Sequence, residues 1–231
     1  MWTWKPKLRL PFRATEILAL CLLAILSAGC EKTTGGTAIG PTASPTTPTT
    51  RLSDPAEPVP GVETTLPEHI PPNALVCFPP PASGSMTKAS VSDPVAPVLT
   101  VPLPDGWSST PGTGDVALTA AGPDGMSVRV TITRTDLDPG GAFLRYAGDL
   151  GRANPNAKVT VTAAQFCGYS SQLLTGTGGG PGANEFADRI AHIWTNTQAY
   201  LVAVHLEGPG KPAGFDAAKS TVMQEFAVTI P

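Results

Sequence analysis

Asp115-Val116-Ala117-Leu118-Thr119-Ala120-Ala121-Gly122-Pro123-Asp124-Gly125-Met126-Ser127-Val128-Arg129-Val130-Thr131-Ile132-Thr133 is the stretch whose reading decides the fold. Met126, Val128, Val130 and Ile132 alternate with Ser127, Arg129, Thr131 and Thr133. That is the period of a strand with one face buried and one polar. Gly122-Pro123-Asp124-Gly125 is a strong turn signal, so residues 115–121 and 126–135 read as the two strands of a hairpin. Just beyond them Asp138-Pro139 opens a helix, with Asp as N-cap and Pro at the first helical position. Phe143, Ala147 and Leu150 fall at i, i+4 and i+7, Leu144 and Tyr146 widen that stripe, and Gly151 or Asn154-Pro155 ends it.

Further along the chain, residues 158–164 and 166–175 read as strands, and the glycine-rich run 176–182 as a surface loop. Residues 186–196 and 199–206 form a last hairpin turning at about Thr197. A closing helix is expected over 215–226, where Phe215, Ala218, Val222 and Phe226 share a face. Upstream, Val98-Leu99-Thr100-Val101-Pro102-Leu103 reads as the first strand, with Pro102 suggesting an edge position. Strands, a helix, more strands and a closing helix imply an α+β domain over 98–231, an antiparallel sheet with helices packed on it.

The rest of the chain has a different composition. Of 231 residues 26 are Pro and 24 Gly, while 41% are hydrophobic, so a core and a Pro/Gly-rich region must occupy different parts. A net charge of −3 leaves no basic excess to neutralise phosphates, which argues against a nucleic-acid partner. Residues 30–72 show no periodicity and include the Thr/Pro tract Thr42-Ala43-Ser44-Pro45-Thr46-Thr47-Pro48-Thr49-Thr50. Such a segment is expected to stay extended and solvated, a disordered tether with or without glycans. Residues 73–97 hold the apolar run Ala74-Leu75-Val76-Cys77-Phe78, stopped by Pro79-Pro80-Pro81, and read as an ordered loop stapled to the domain.

Residues 1–29 read as an export signal. Lys5, Lys7, Arg9 and Arg13 precede the apolar run 17–26, and Ser27-Ala28-Gly29 supplies small residues ahead of Cys30. Ten apolar residues are too few for a membrane span, which needs about twenty. Leu26-Ser27-Ala28-Gly29-Cys30 resembles a bacterial lipobox, in which the Cys30 sulfur would carry diacylglycerol; an ordinary signal peptide or an uncleaved anchor with an incidental Cys is the alternative. Ser27 stands where a lipobox usually has an aliphatic residue. Loss of residues 1–29 removes four basic residues and Glu16, leaving eleven basic and seventeen acidic residues and a net charge of −6. Attachment to a membrane would then come from acyl chains rather than from charge.

Of the four cysteines, Cys21 lies in the signal and Cys30 would be acylated. Cys77 and Cys167 remain, most simply as one disulfide in an oxidising compartment, with two free buried thiols or a metal site as alternatives. No His stands near either, which disfavours a metal, and no cofactor motif is present. The run 176–182 lacks the Lys-Ser/Thr ending of a phosphate loop. Gly168-Tyr169-Ser170-Ser171-Gln172 is similar to a serine-esterase elbow, with His192 and His205 as candidate bases, on one sheet face if the last hairpin has a two-residue turn, and otherwise as ordinary strand histidines. Gln172 occupies the place where the elbow needs Gly, and Leu173-Leu174 continue a strand. Phe143, Tyr146, Trp194 and Tyr200 sit on elements expected to pack together, as core or as the lining of an apolar ligand pocket between helix and sheet.

Taken in order, these segments resemble the LpqN/LpqT-type lipoproteins of mycobacteria and relatives. Residues 97–107 look like the family's opening strand and Pro-x-Gly-Trp turn. Asp138-Pro139 with Phe143 resembles the start of its first helix, and Phe166-Cys167-Gly168-Tyr169-Ser170-Ser171-Gln172-Leu173-Leu174-Thr175-Gly176 is similar to its Phe-x-Gly-aromatic-x-Ser strand. Tyr200-Leu201-Val202-Ala203-Val204 and the closing helix to Phe226 are similar as well. Cys167 falls where the family has no regular Cys, and residues 69–78 replace the short helix that usually precedes the first strand. The resemblance implies a PsbP-like fold, an antiparallel sheet between helices. It also implies an envelope lipoprotein with no established catalytic residues. The leading expectation is a non-enzymatic binding or accessory domain on the outer face of the cell membrane, with a weak serine esterase on envelope lipids or a structural or host-interacting surface protein as the alternatives. Envelope lipid or lipid-export proteins would be its partners.

Overall fold

The computed structural model describes residues 58–65, 69–78, 84–180, 182–210 and 212–231. The signal segment, Cys30 and the Thr/Pro tract lie outside the described residues.

In chain order the elements are β1 (Leu75–Cys77), β2 (Ser85–Ala89), β3 (Val98–Leu103), β4 (Ser108–Pro111), β5 (Val116–Ala121), β6 (Ser127–Thr135), α1 (Pro139–Ala153), β7 (Lys158–Ala163), β8 (Ser170–Thr177), β9 (Glu185–Trp194), β10 (Ala199–Gly208), α2 (Phe215–Val222) and β11 (Ala227–Thr229). They form two antiparallel sheets. The large one runs β4-β5-β6-β10-β9-β8-β7, and the small one β1-β11-β3-β2. The fold is α+β. No described helix is long and apolar enough to cross a membrane.

The period-two pattern of β6 sorts the layers. Val128, Val130 and Ile132 are almost fully buried and join Val202, Val204 and Leu206 of β10, Leu99 and Val101 of β3, and Phe215, Val222 and Phe226. One face of the large sheet therefore packs on the small sheet and α2. The opposite face carries α1, where Phe143 meets Leu174, Ile190 and Ala203. α1 begins as its sequence demands, with the Asp138 carboxylate accepting from Gly141 N at 2.7 Å and Pro139 at the first position.

Several expectations change. Residues 166–169 form a turn rather than a strand, with Cys167 (φ 51°) and Gly168 (φ 81°) in the left-handed region, and β8 starts at Ser170. The closing helix stops at Val222, four residues early, because Arg189 Nε donates to Met223 O and caps it from the large sheet. The chain then turns into β11. Pro102 sits on a central strand, not an edge one, opposite Met86 of β2, while on its other side β11 meets β3 only at Val98, Leu99 and Thr100 and does not reach it.

Residues 73–97, read as a loop, contribute β1 and β2 to the small sheet, and the domain begins well before Val98. Cys77 and Cys167 are joined as a disulfide with Cα atoms 5.7 Å apart, linking β1 to the 166–169 turn of the large sheet. Residues 58–63, read as part of the solvated tether, lie against β8: Ser171 N donates to Gly61 O (2.9 Å), Gln172 Nε2 to Pro60 O (2.8 Å) and Glu63 N to Ser170 Oγ (2.8 Å). Val59 and Val62 pack beside Phe143. Two scattered valines in a Pro/Gly-rich segment are too sparse to show periodicity, but they suffice once a groove exists to receive them.

Candidate functional site

α1 covers only part of its sheet face. Its Phe143 and Ala142 side rests on β8, β9 and β10, while Arg129, Thr131 and Thr133 of β6 project on the same face beyond it. A cleft of about 490 Å³ opens between helix and sheet, lined by Arg129, Thr131, Tyr146, Asp149, Ala203 and His205 among others. It shares Thr131, Tyr146, Asp149 and Ala203 with a hollow of about 260 Å³ bounded by Thr133 and Arg145.

Strand alternation places its chemistry. In β10 the odd positions Leu201, Ala203, His205 and Glu207 face α1; their cross-strand partners in β9 are His192, Ile190, Asp188 and Phe186. His205 thus stands directly opposite Asp188, which is fully buried. His205 Nδ1 donates to Asp188 Oδ1 at 2.6 Å, and Tyr146 Oη of α1 donates to the same oxygen at 2.8 Å. The second oxygen, Oδ2, has no partner among the described residues. On its other side His205 Nε2 lies 3.7 Å from Glu207 Oε2.

A buried carboxylate needs donors, and here they come from both layers, so Asp188 pins α1 to the sheet. Burial, reinforced by the charge and hydrogen bond of Asp188, drives the Tyr146 phenol far above its usual range, and it stays a donor. Burial alone would lower the His205 pKa; the hydrogen bond and charge of Asp188, helped by Glu207, outweigh it and raise it. The result is an imidazole at the cleft wall, hydrogen-bonded to Asp188 and close to Glu207, whose protonated form is favoured over that of a free histidine, with Arg129 directly across the ladder. This constellation can hold polar or charged ligand groups.

The four aromatic residues proposed for a pocket do not converge. Phe143 is core beneath α1, and Tyr146 lines the cleft. Trp194 stands at the hairpin end of β9, and Tyr200 points to the opposite face of the sheet, where its hydroxyl donates to Asp93 Oδ2 at 2.7 Å. Alternation decides this: Tyr200 is one residue away from Leu201, which faces α1.

Both histidines do lie on the α1 face, as the two-residue turn at Asn196-Thr197 requires, with Thr195 N donating to Gln198 O. Four residues along a strand separate His192 from Asp188, roughly 13 Å. Ser171 Oγ is buried and donates to Ile190 O at 2.8 Å. Ser170 is opposite His192, but its hydroxyl accepts from Glu63 N, and His192 Nε2 engages Leu137 O at 3.0 Å. Both serines sit within a regular strand, not on an elbow. Cys77, Cys167 and Glu225 also come within 4.8 Å of one another, but the thiolates a metal would need are consumed by the disulfide.

No family model and no curated protein matches the sequence. Solved structures do. The chain is similar to LpqN. That structure, described as LpqN involved in cell envelope biogenesis of Mycobacterium tuberculosis, aligns at 19% identity and a TM-score of 0.49, covering 64% of this chain and 91% of LpqN. Cyanobacterial PsbP from Synechocystis aligns at 15% identity and a TM-score of 0.40, covering 59% of this chain and 86% of its own.

Proposed function

We propose that this protein is a cell-envelope lipoprotein, held through Cys30 on the outer face of the membrane, whose α+β domain acts by binding rather than by catalysis and supports envelope lipid transport or assembly. The observation that carries the binding role is the cleft beneath α1. One wall is braced by Tyr146 and His205 on the buried Asp188 carboxylate, and Arg129 and Arg145 stand exposed around it. A braced wall keeps a preformed cavity open and spares a ligand the cost of ordering it. The envelope setting comes from the signal and lipobox pattern and from the strand and turn motifs shared with LpqN/LpqT-type lipoproteins.

The test is native mass spectrometry of the full chain purified from its own membrane. A co-purified small molecule retained by the native protein and lost on Arg129→Glu supports the cleft; an adduct unaffected by that change, or none at all, overturns it. One observation favours a second reading, a serine esterase on envelope lipids: Ser170 and His192 face each other across β8 and β9. Labelling of Ser170 or Ser171 by a fluorophosphonate probe would establish that reading in place of the first.

A further inference from the structure

The two edges of the large sheet are treated differently. β4 is four residues long, ends in Pro111, and its neighbour β5 carries a register shift between Val116 and Leu118. Short length, proline and irregularity are the usual ways of blunting an edge against pairing. β7 has none of them. Lys158-Val159-Thr160-Val161-Thr162-Ala163 is exposed at every residue, free of Pro and Gly, β-branched at four positions, and in unbroken register with β8. Among the described residues nothing pairs with its outer side.

The backbone geometry says which groups are free. Ala164 N donates to Ser171 O, so the even-numbered residues of this strand turn their N–H and C=O groups toward β8. Val159, Val161 and Ala163 therefore aim theirs outward. On the α1 face, Val159 (36% exposed) and Val161 (37%) continue into Leu144 of α1, 64% exposed.

We infer that β7 is a self-association edge, pairing antiparallel with β7 of a second copy of this chain about a two-fold axis at Val161. That register sets Val161 against Val161, and Val159 against Ala163 in both directions. Every outward donor and acceptor of the strand is then matched, and shifting the register either way leaves some of them unmatched within the strand. The two Lys158 residues fall at opposite ends, so like charges do not meet. The axis is perpendicular to the sheet, which keeps both α1 helices on one side and brings Val161 and Leu144 of the two copies together.

The place where the chain enters the domain fits the same occupant. Pro58, Val59 and Pro60 line a groove with Leu144 and Val161, so in the pair both N-terminal segments leave from the same side, beside the interface. The 27 residues between Cys30 and Pro58 have a contour length of at most about 90 Å, enough for both copies to reach one surface. The hydrogen-bond register does not depend on lipidation or on the cleft.

The experiment uses the full chain in membranes of the producing cells and after detergent extraction. Hydrogen-bonded cross-strand residues have Cα atoms about 5.5 Å apart, within disulfide range. Val161→Cys under mild oxidation is expected to give roughly tenfold more covalent dimer than Ser109→Cys on the β4 edge. Val161→Pro removes an outward N–H that the β8 ladder does not use, so it should leave the far-UV spectrum unchanged while abolishing the dimer in sedimentation. Equal cross-linking from both edges, cross-linking of the Val161→Cys chain to a different protein, or a Val161→Pro chain that sediments like the native one would each overturn the inference.

Discussion

His205→Ala tests the brace of the cleft, and its cost depends on pH in a direction the structure fixes. Asp188 is fully buried, and His205 supplies one of its two donors; Tyr146 supplies the other. Removing one partner of a buried pair costs about 3–5 kcal/mol. The His205 side chain is 23% exposed and Tyr146 and Arg129 remain nearby, which places the loss near the lower end, at about 3 kcal/mol. For a domain of this size that lowers Tm by about 6–12 °C. The pKa of His205 is raised in the folded state, so the pair's contribution is complete below the unfolded histidine value and is lost as pH rises through the folded one. The gap in Tm between native and His205→Ala proteins should therefore be widest near about pH 5.5 and narrow toward about pH 9. Circular-dichroism melting of both proteins across that range measures it. Asp188→Asn, close in shape but uncharged, should flatten the His205 contribution to the native profile. A gap that is constant with pH, or that widens as pH rises, would show that Asp188 does not hold His205 protonated.

Cys30→Ala should release the protein into the medium or leave an uncleaved precursor; unchanged detergent partitioning and mass in the variant would remove the lipid anchor from consideration. Cys77→Ser cuts the link between β1 and the 166–169 turn, leaving β1 with its short pairing to β11 and the packing of Val76 on the core. Limited proteolysis should then cut near 73–83 first, while the large sheet persists; simultaneous digestion of the whole domain would refute that order. Gly61 has φ +72°, and a Cβ there would collide with Ser171 O, so Gly61→Ala should lift residues 58–63 off β8. Cleavage within that segment should rise, with the global melting temperature little changed.

What the sequence made legible, and what it concealed, divides along one physical line. β5, β6, β9 and β10 are long, alternate regularly, and meet at turns that their residues announce, Gly122-Pro123-Asp124-Gly125 in one hairpin and Asn196-Thr197 in the other. Local signals suffice there, as they do for α1 with Asp138 and Pro139. The small sheet is built otherwise. β1 and β11 are three residues each, too short for any period, and they exist because β3 and the disulfide bring distant segments together. The end of α2 is set from outside too, by Arg189 of β9, where Phe226 only continued the helical spacing. The cleft lies between these cases. Once the hairpin turns at Asn196-Thr197, positions 188 and 205 must face each other, so an acid and an imidazole within apolar strands were already a pair on paper. Their meaning needed Tyr146, which periodicity assigns to the inner stripe of α1 without saying that its hydroxyl ends on Asp188 rather than in solvent. Pairing register is written in the chain wherever a turn fixes it. Contact between layers is not, because the same apolar stripe permits more than one rotation of helix on sheet, and a single buried carboxylate selects among them.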